Sequence, residues 1–189
     1  MTLEPTEHAF CGAVDETLLA RARPIKILVM DVDGVLTDGR INMGAEGELH
    51  KAFNILDGKG LSMLREAGVE RALLTGRNSP QVQRRAEELG IQHVLQGKQR
   101  KWEALEPLLR GLALAPEHCA YIGDDLIDLP VARRVGLAVA VPNAHPWLAA
   151  HCHWQTRLPG GEGAVRELCE LILLARGELG AMLQAYAQD

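Results

Sequence analysis

The sequence predicts an α/β fold: a doubly wound parallel sheet, without a cap domain, carrying a β-hairpin flap. Three observations carry this. Short apolar runs that read as buried strands alternate with helical segments along the chain. Three of those runs break off into loops that begin at Asp31, Thr75 and Asp124. In open α/β sheets ligands bind beyond the carboxyl ends of the strands, so these three loops share one address. Between Asp31 and Thr75 there is room for only a hairpin and one helix, too little for a cap domain.

The elements follow in order. Residues 14–22 form a short amphipathic pattern, and Ile25 to Met30 is a strand rich in Ile, Leu and Val. From Arg40 to Phe53 two short extended runs flank Gly44-Ala45-Glu46-Gly47, the pattern of a hairpin flap spanning about 38–54. A helix is expected over 58–67, stopped by Gly68. A strand over 69–74 runs into Thr75-Gly76-Arg77. Ser79 as N-cap and Pro80 at the first position open a helix over 79–89 that stops at Gly90. Then come a strand at 92–95, a helix at 99–110, a strand at 119–122 leading into Gly123-Asp124-Asp125, and a helix at 126–135. A strand at 137–141, a short helix near 146–150, a last strand near 153–155 and a helix at 162–176 complete the pattern. Residues 177–189 read as a polar tail. No repeat or linker divides the chain, so a single domain over 1–189 is expected.

Composition excludes several classes. Apolar residues make up 47% and aromatics 4%, so the core is expected to be Leu, Val, Ile and Ala. A net charge of -5 argues against general nucleic-acid binding. One segment is nonetheless basic: Arg77, Arg84, Arg85, Lys98, Arg100 and Lys101 face only Glu87 and Glu88, which suits a small anionic ligand as well as a solvated helix face. No apolar run is long enough to span a bilayer, and the first residues lack the pattern of a secretory signal. Cys11, Cys119, Cys152 and Cys169 are scattered with no CxxC pair, which reads as reduced thiols of a cytoplasmic protein.

The chemistry centres on Asp31-Val32-Asp33-Gly34. A bare DxD is more often a polar turn. Two carboxylates at i and i+2 beside a strand end repel, however, unless a cation neutralises them or one serves as a nucleophile. Two further strand ends delivering Thr75 and Asp124 favour the second reading. Phosphoryl transfer needs a nucleophile in line, charge neutralisation on the equatorial oxygens and a proton for the leaving group, and these residue types supply all three. Spacing alone leaves Lys98 and Lys101 as equal candidates for the cation.

DVDGVLTDG, LTGR, a downstream Lys and GDDLID resemble the four motifs of the haloacid dehalogenase superfamily of phosphohydrolases. The resemblance implies a Rossmann-like fold in which Asp31 is the nucleophile and forms an aspartyl-phosphate. Asp33 is then the acid and base, also offering its carbonyl to a metal, and Thr75 donates to a phosphoryl oxygen. It implies Mg²⁺ held by Asp31, Asp33 and Asp124, with Asp125 and Asp128 as further or outer candidates. QGxxxK, as Gln96-Gly97-Lys98-Gln99-Arg100-Lys101, selects Lys101. KAFNILDGKG, LGIQHVLQG, AYIGDDLIDLPV, GLAVAV, AHP and GGEGAVRELCELILLARG further resemble the 3-deoxy-D-manno-octulosonate 8-phosphate phosphatase family, from about residue 24 to 176. That likeness implies hydrolysis of an eight-carbon sugar-acid phosphate in lipopolysaccharide biosynthesis, with a phosphatase for a nine-carbon relative, or a non-catalytic tetramerising module, as alternatives. It maps substrate contacts onto Asp33, Asn54, Ile55, Leu56, Asp57, Gly58, Gly76, Arg77, Arg85 and Lys101. Leu56, Ser62 and Glu162 stand where many relatives carry positive charge, and Lys59 is a candidate to compensate. It also implies a homotetramer in which flaps, here with apolar Ile41, Met43 and Leu49, and neighbouring C-terminal tails close the open site, the tail 177–189 acting as a mobile lid.

Three other features are read more plainly. His145, His151, Cys152 and His153 match no trusted zinc spacing and read as a loop and strand with incidental histidines. Gly160-Gly161-Glu162-Gly163 precedes a helix whose N-terminus could take an anion. Asp38 reads as a turn residue.

Overall fold

The computed structural model describes residues 10–12, 14–186 and 188. Eight strands and eight α-helices follow one another in it. They are α1 (Glu16–Ala22), β1 (Ile27–Met30), β2 (Asn42–Gly44), β3 (Gly47–His50), α2 (Ile55–Glu66), β4 (Glu70–Leu74), α3 (Pro80–Leu89) and β5 (His93–Leu95). Then come α4 (Lys101–Gly111), β6 (Cys119–Gly123), α5 (Leu129–Ala132), β7 (Leu137–Ala140), α6 (Pro146–Ala149), β8 (Trp154–Gln155), α7 (Ala164–Ala175) and α8 (Leu179–Tyr186).

Six strands form one parallel sheet in the order β5-β4-β1-β6-β7-β8. Strand β1 lies in the middle, with Met30 paired to Leu73 on one side and to Ile122 on the other. Its residues alternate between two cores, as the pleat demands. Leu28 and Met30 pack with Leu61 and Leu64 of α2, Val82 and Ala86 of α3, and Leu168 and Leu171 of α7. Ile27 and Val29 pack with Leu105 and Leu109 of α4, Val131 of α5 and Leu148 of α6. Burial on both faces is why the strands read as unbroken apolar runs. The chain passes from β1 to β4 on one side and to β6 on the other, so the direction of winding reverses at β1. A crevice opens beyond the strands at such a reversal.

Boundaries differ from the sequence reading where side chains cap. Helix α2 starts three residues earlier than 58, because Asn54 accepts a hydrogen bond from Leu56 N at 2.9 Å and so opens the helix ahead of Gly58 and Gly60. Ser79 holds the N-cap position of α3, but its hydroxyl donates to Gln81 Oε1 at 2.7 Å rather than capping. The helix expected over 126–135 is a single 3₁₀ turn, Leu126–Asp128, followed by the short α5. A reciprocal Asp125–Asp128 capping box tightens this turn.

The region read as a polar tail contains α8. Leu179 is buried, and Met182 and Leu183 pack against the core, a helical i, i+3, i+4 stripe that the surrounding Gly, Gln and Ala concealed. The flap forms as expected, with β2 and β3 antiparallel around Gly44–Gly47. Its Ile41, Met43 and Leu49 project outward, Met43 being 65% exposed. Asp38 accepts from Arg40 N at 2.9 Å, as a turn residue should. Among the described residues no helix is long and apolar enough to cross a membrane, and the four cysteines are free thiols.

Candidate active site

Asp31 emerges from the end of β1 and is held by its own loop, its Oδ1 accepting from Val32 N at 2.7 Å. Lys101 opens α4 and is 1% exposed. Its ammonium lies 2.7 Å from Asp31 Oδ2 and 2.5 Å from Asp128 Oδ1. Of the two candidate lysines, Lys101 is the one beside Asp31, and Lys98 is exposed. Asp128 is fully buried and acts as a clamp. Tyr121 donates its hydroxyl hydrogen to Asp128 Oδ1 at 2.6 Å. The other oxygen accepts from Asp124 N at 2.9 Å and Asp125 N at 3.2 Å, which fixes the loop beyond β6. Thr75 is buried at the end of β4, its Oγ1 accepting from Arg77 N at 3.4 Å. Gly34 has φ of +88°, and a Cβ there would come within 2.1 Å of Asp124 Oδ2, so any side chain would displace the Asp124 carboxylate.

Carboxylate oxygens of Asp31, Asp124 and Asp128 lie within 4.8 Å of one another. Three acids against one lysine is an excess of negative charge in a site that water only partly reaches. Burial, then the neighbouring carboxylates, pushes Asp124 up to about 8. Burial also raises Asp31, with Lys101 opposing it. Burial works against the Lys101 ammonium, yet Asp128 and Asp31 hold its pKa above the ordinary value. This donor set, three carboxylates offering oxygen ligands, fits a divalent ion that would balance their charge.

Asp33 faces the flap. Its Oδ1 pairs with the Lys51 ammonium, and its Oδ2 lies 3.7 Å from Arg77 Nε. Glu48 completes the group, 2.9 Å from Lys51 Nζ and 3.6 Å from Arg77 Nη2. Sequence reasoning missed Glu48 and Lys51. The signal available was an acid–base pair three apart, Glu48 in β3 and Lys51 just after it.

A cleft of about 290 Å³ brings together Asp31, Asp33, Thr75, Gly76, Arg77, Lys101 and Asp124. The other substrate candidates lie elsewhere within the chain. Arg85 faces a neighbouring cavity of about 370 Å³ with Lys51, Phe53 and Arg84, its guanidinium 2.9 Å from Glu88 Oε2. Asn54 caps α2 and donates to Gly161 O at 3.1 Å. Ile55 points outward, 81% exposed, and Leu56 is partly exposed beside it. Gly58 and Asp57 are buried. Asp57 accepts from Arg166 N at 2.9 Å, and burial pushes its carboxyl up to about 6. The N-terminus of α7, which the glycine run was expected to offer to an anion, is thus taken by the chain's own carboxylate. Lys59 turns from the cleft toward α8, its ammonium 4.2 Å from the Tyr186 ring centroid. The histidines serve the backbone: His145 Nδ1 accepts from Trp147 N at 3.1 Å and His153 Nδ1 from Ala138 N at 2.9 Å.

A buried aspartate at the central strand end, backed by a lysine and two further acids, defines a haloacid dehalogenase-like hydrolase, and residues 47–136 match the family model of that description. The chain is 50% identical over 168 residues to 3-deoxy-D-manno-octulosonate 8-phosphate phosphatase KdsC of Escherichia coli K12, covering 89% of each. The crystal structure of the Yersinia pestis 3-deoxy-D-manno-octulosonate 8-phosphate phosphatase superposes with a TM-score of 0.87 at 49% identity, over 89% of this chain and 91% of that one. The Moraxella catarrhalis phosphatase, in complex with magnesium, phosphate and KDO, gives 0.89 at 44% identity, over 92% of this chain and 99% of that one. The chain belongs to the 3-deoxy-D-manno-octulosonate 8-phosphate phosphatase family.

Proposed function

We propose that this chain hydrolyses 3-deoxy-D-manno-octulosonate 8-phosphate to the free sugar acid and phosphate, using Mg²⁺, in lipopolysaccharide biosynthesis. The observation that carries it is the Asp31–Lys101–Asp128 contact set beside Asp33, Thr75 and Asp124 in one cleft, in a chain half identical to phosphatases of that name.

Each residue has a role in this reading. Asp31 attacks phosphorus as the bond to the sugar oxygen breaks, giving an aspartyl-phosphate. Asp33 hands its proton to the leaving oxygen, then takes one from the water that releases phosphate. Lys101 and the Thr75 hydroxyl face the phosphoryl oxygens. Asp31, Asp124 and the Asp33 carbonyl would hold the metal, whose charge lets two anions meet. Arg77 is placed for the substrate carboxylate, since a planar guanidinium suits it. Phosphate release is expected to vanish in EDTA and return on adding Mg²⁺. Across a panel of sugar-acid phosphates, kcat/KM is expected to be highest for the eight-carbon substrate. EDTA-resistant turnover would refute the metal assignment, and a flat profile the substrate assignment.

The open cleft favours an assembly, which we propose to be a homotetramer. Flap residues Ile41, Met43 and Leu49 and the nearby Ile55 leave apolar surface facing outward, and a second copy is the natural cover. Gel filtration is expected to give about four times the 20.6 kDa chain mass. A fully active monomer would remove the proposal.

A further inference from the structure

We propose that Lys51 is a positioning residue for Asp33, and that through it the flap sets how well the enzyme protonates a poor leaving group. This rests on the reading of Asp33 as the proton carrier.

Lys51 lies at the base of the flap, just after β3, with its side chain 1% exposed. Its ammonium touches Asp33 Oδ1 and lies 2.9 Å from Glu48 Oε1. Arg77 closes the ring, 3.7 Å from Asp33 Oδ2 and 3.6 Å from Glu48 Oε1. Two acids and two bases alternate: Glu48 and Lys51 come from the flap, Asp33 and Arg77 from the catalytic edge. Their charges cancel, and the enclosed Lys51 is not the kind of surface ion that salt screens away. A further contact pins the flap to α3, where Gln81 Nε2 donates to Leu49 O at 3.4 Å. The hairpin is therefore fixed where it meets the catalytic acid, although its tip is exposed.

The terminal torsion of an aspartate is broad and turns easily without contacts. A proton donor works only when held to within about 0.5 Å of its productive place. Lys51 binds one Asp33 oxygen and leaves the other toward Arg77 and the cleft. Loss of Lys51 frees the carboxyl to rotate. That defect should appear selectively. A sugar alkoxide needs a proton as its bond to phosphorus breaks, whereas nitrophenolate leaves without one.

The test compares kcat and KM for the sugar-acid phosphate and for p-nitrophenyl phosphate, at saturating Mg²⁺, in Lys51→Met, Lys51→Arg, Asp33→Asn and the Lys51→Met/Asp33→Asn double variant. The ratio of kcat on the sugar phosphate to kcat on the aryl phosphate is expected to fall on the order of 10-fold or more in Lys51→Met. Lys51→Arg should keep the ratio within about threefold, because it preserves the ion pair. The double variant should lose no more of the ratio than Asp33→Asn alone, since the lysine acts through the aspartate. Equal loss on both substrates in Lys51→Met would make the lysine a mere brace for the flap and overturn the proposal. An unchanged ratio, or additive losses in the double variant, would overturn it too. An unchanged ratio in Asp33→Asn would strike the proton-carrier reading itself, and the proposal with it.

Discussion

Asp31→Asn is expected to lower phosphate release on the order of 10⁴-fold or more, since removing a nucleophile eliminates the covalent route entirely. The amide is nearly isosteric, so the backbone contact from Val32 N to Oδ1 survives. The variant should also be no less stable than the parent in EDTA. Asp31, Asp124 and Asp128 crowd one lysine, and deleting one negative charge relieves repulsion among the other two. Activity and stability thus move in opposite directions, which a merely misfolded variant cannot mimic. Malachite-green phosphate assays and urea unfolding, run in parallel, check both. If Asp31 served only as a metal ligand, raising Mg²⁺ would restore turnover in the variant. Such rescue, or substantial turnover at any Mg²⁺ concentration, would sink the nucleophile assignment.

The strands were legible because both faces of the sheet are buried, which writes Ile, Leu and Val into continuous runs that end abruptly at acids and hydroxyls. That Asp31, Thr75 and Asp124 share one cleft was legible for the same reason: they sit where those runs stop. Lys101 was harder. Its distance from Lys98 is three residues, and only the start of α4 decides which one reaches back to Asp31. Asp57, which the resemblance maps to the substrate, is turned inward onto α7 in the single chain, a contact across 109 residues that no local pattern reveals. Arg85 lines a neighbouring cavity rather than the cleft for a similar reason, since α3 aims it at the Phe53 ring and Asn54 O. The clamp of Glu48 and Lys51 was hidden because hairpin charges normally face solvent. Helix α8 was hidden because its stripe is short and interrupted by small residues.

Lys101→Met is the second large effect, and it separates structure from chemistry. The side chain is replaced by one of similar length with no charge, so packing changes little while Asp31 and Asp128 lose their counter-ion. Asp128 is the group that suffers most: it is fully buried, and its remaining partners are Tyr121 and two backbone N–H groups. Removing one member of a buried pair costs about 3–5 kcal/mol, because the other charge stays desolvated and unpaired. In EDTA the urea midpoint should fall accordingly. The loss should be smaller at pH 5 than at pH 8. Asp31, pushed up to about 6, and Asp124, pushed up to about 8, take up protons as pH falls, and a neutral acid no longer needs the lysine. Turnover should drop on the order of 10²–10³-fold at every pH, as expected when a preorganised charge facing the phosphoryl group is removed. Adding Asp128→Asn to Lys101→Met removes the stranded charge and should recover most of the stability. It should recover none of the activity, because no cation returns to the phosphate. A double variant that regained turnover would mean that Lys101 serves only to neutralise its neighbours, and a single variant with an unchanged urea midpoint would mean that the buried pair is not the support the geometry implies.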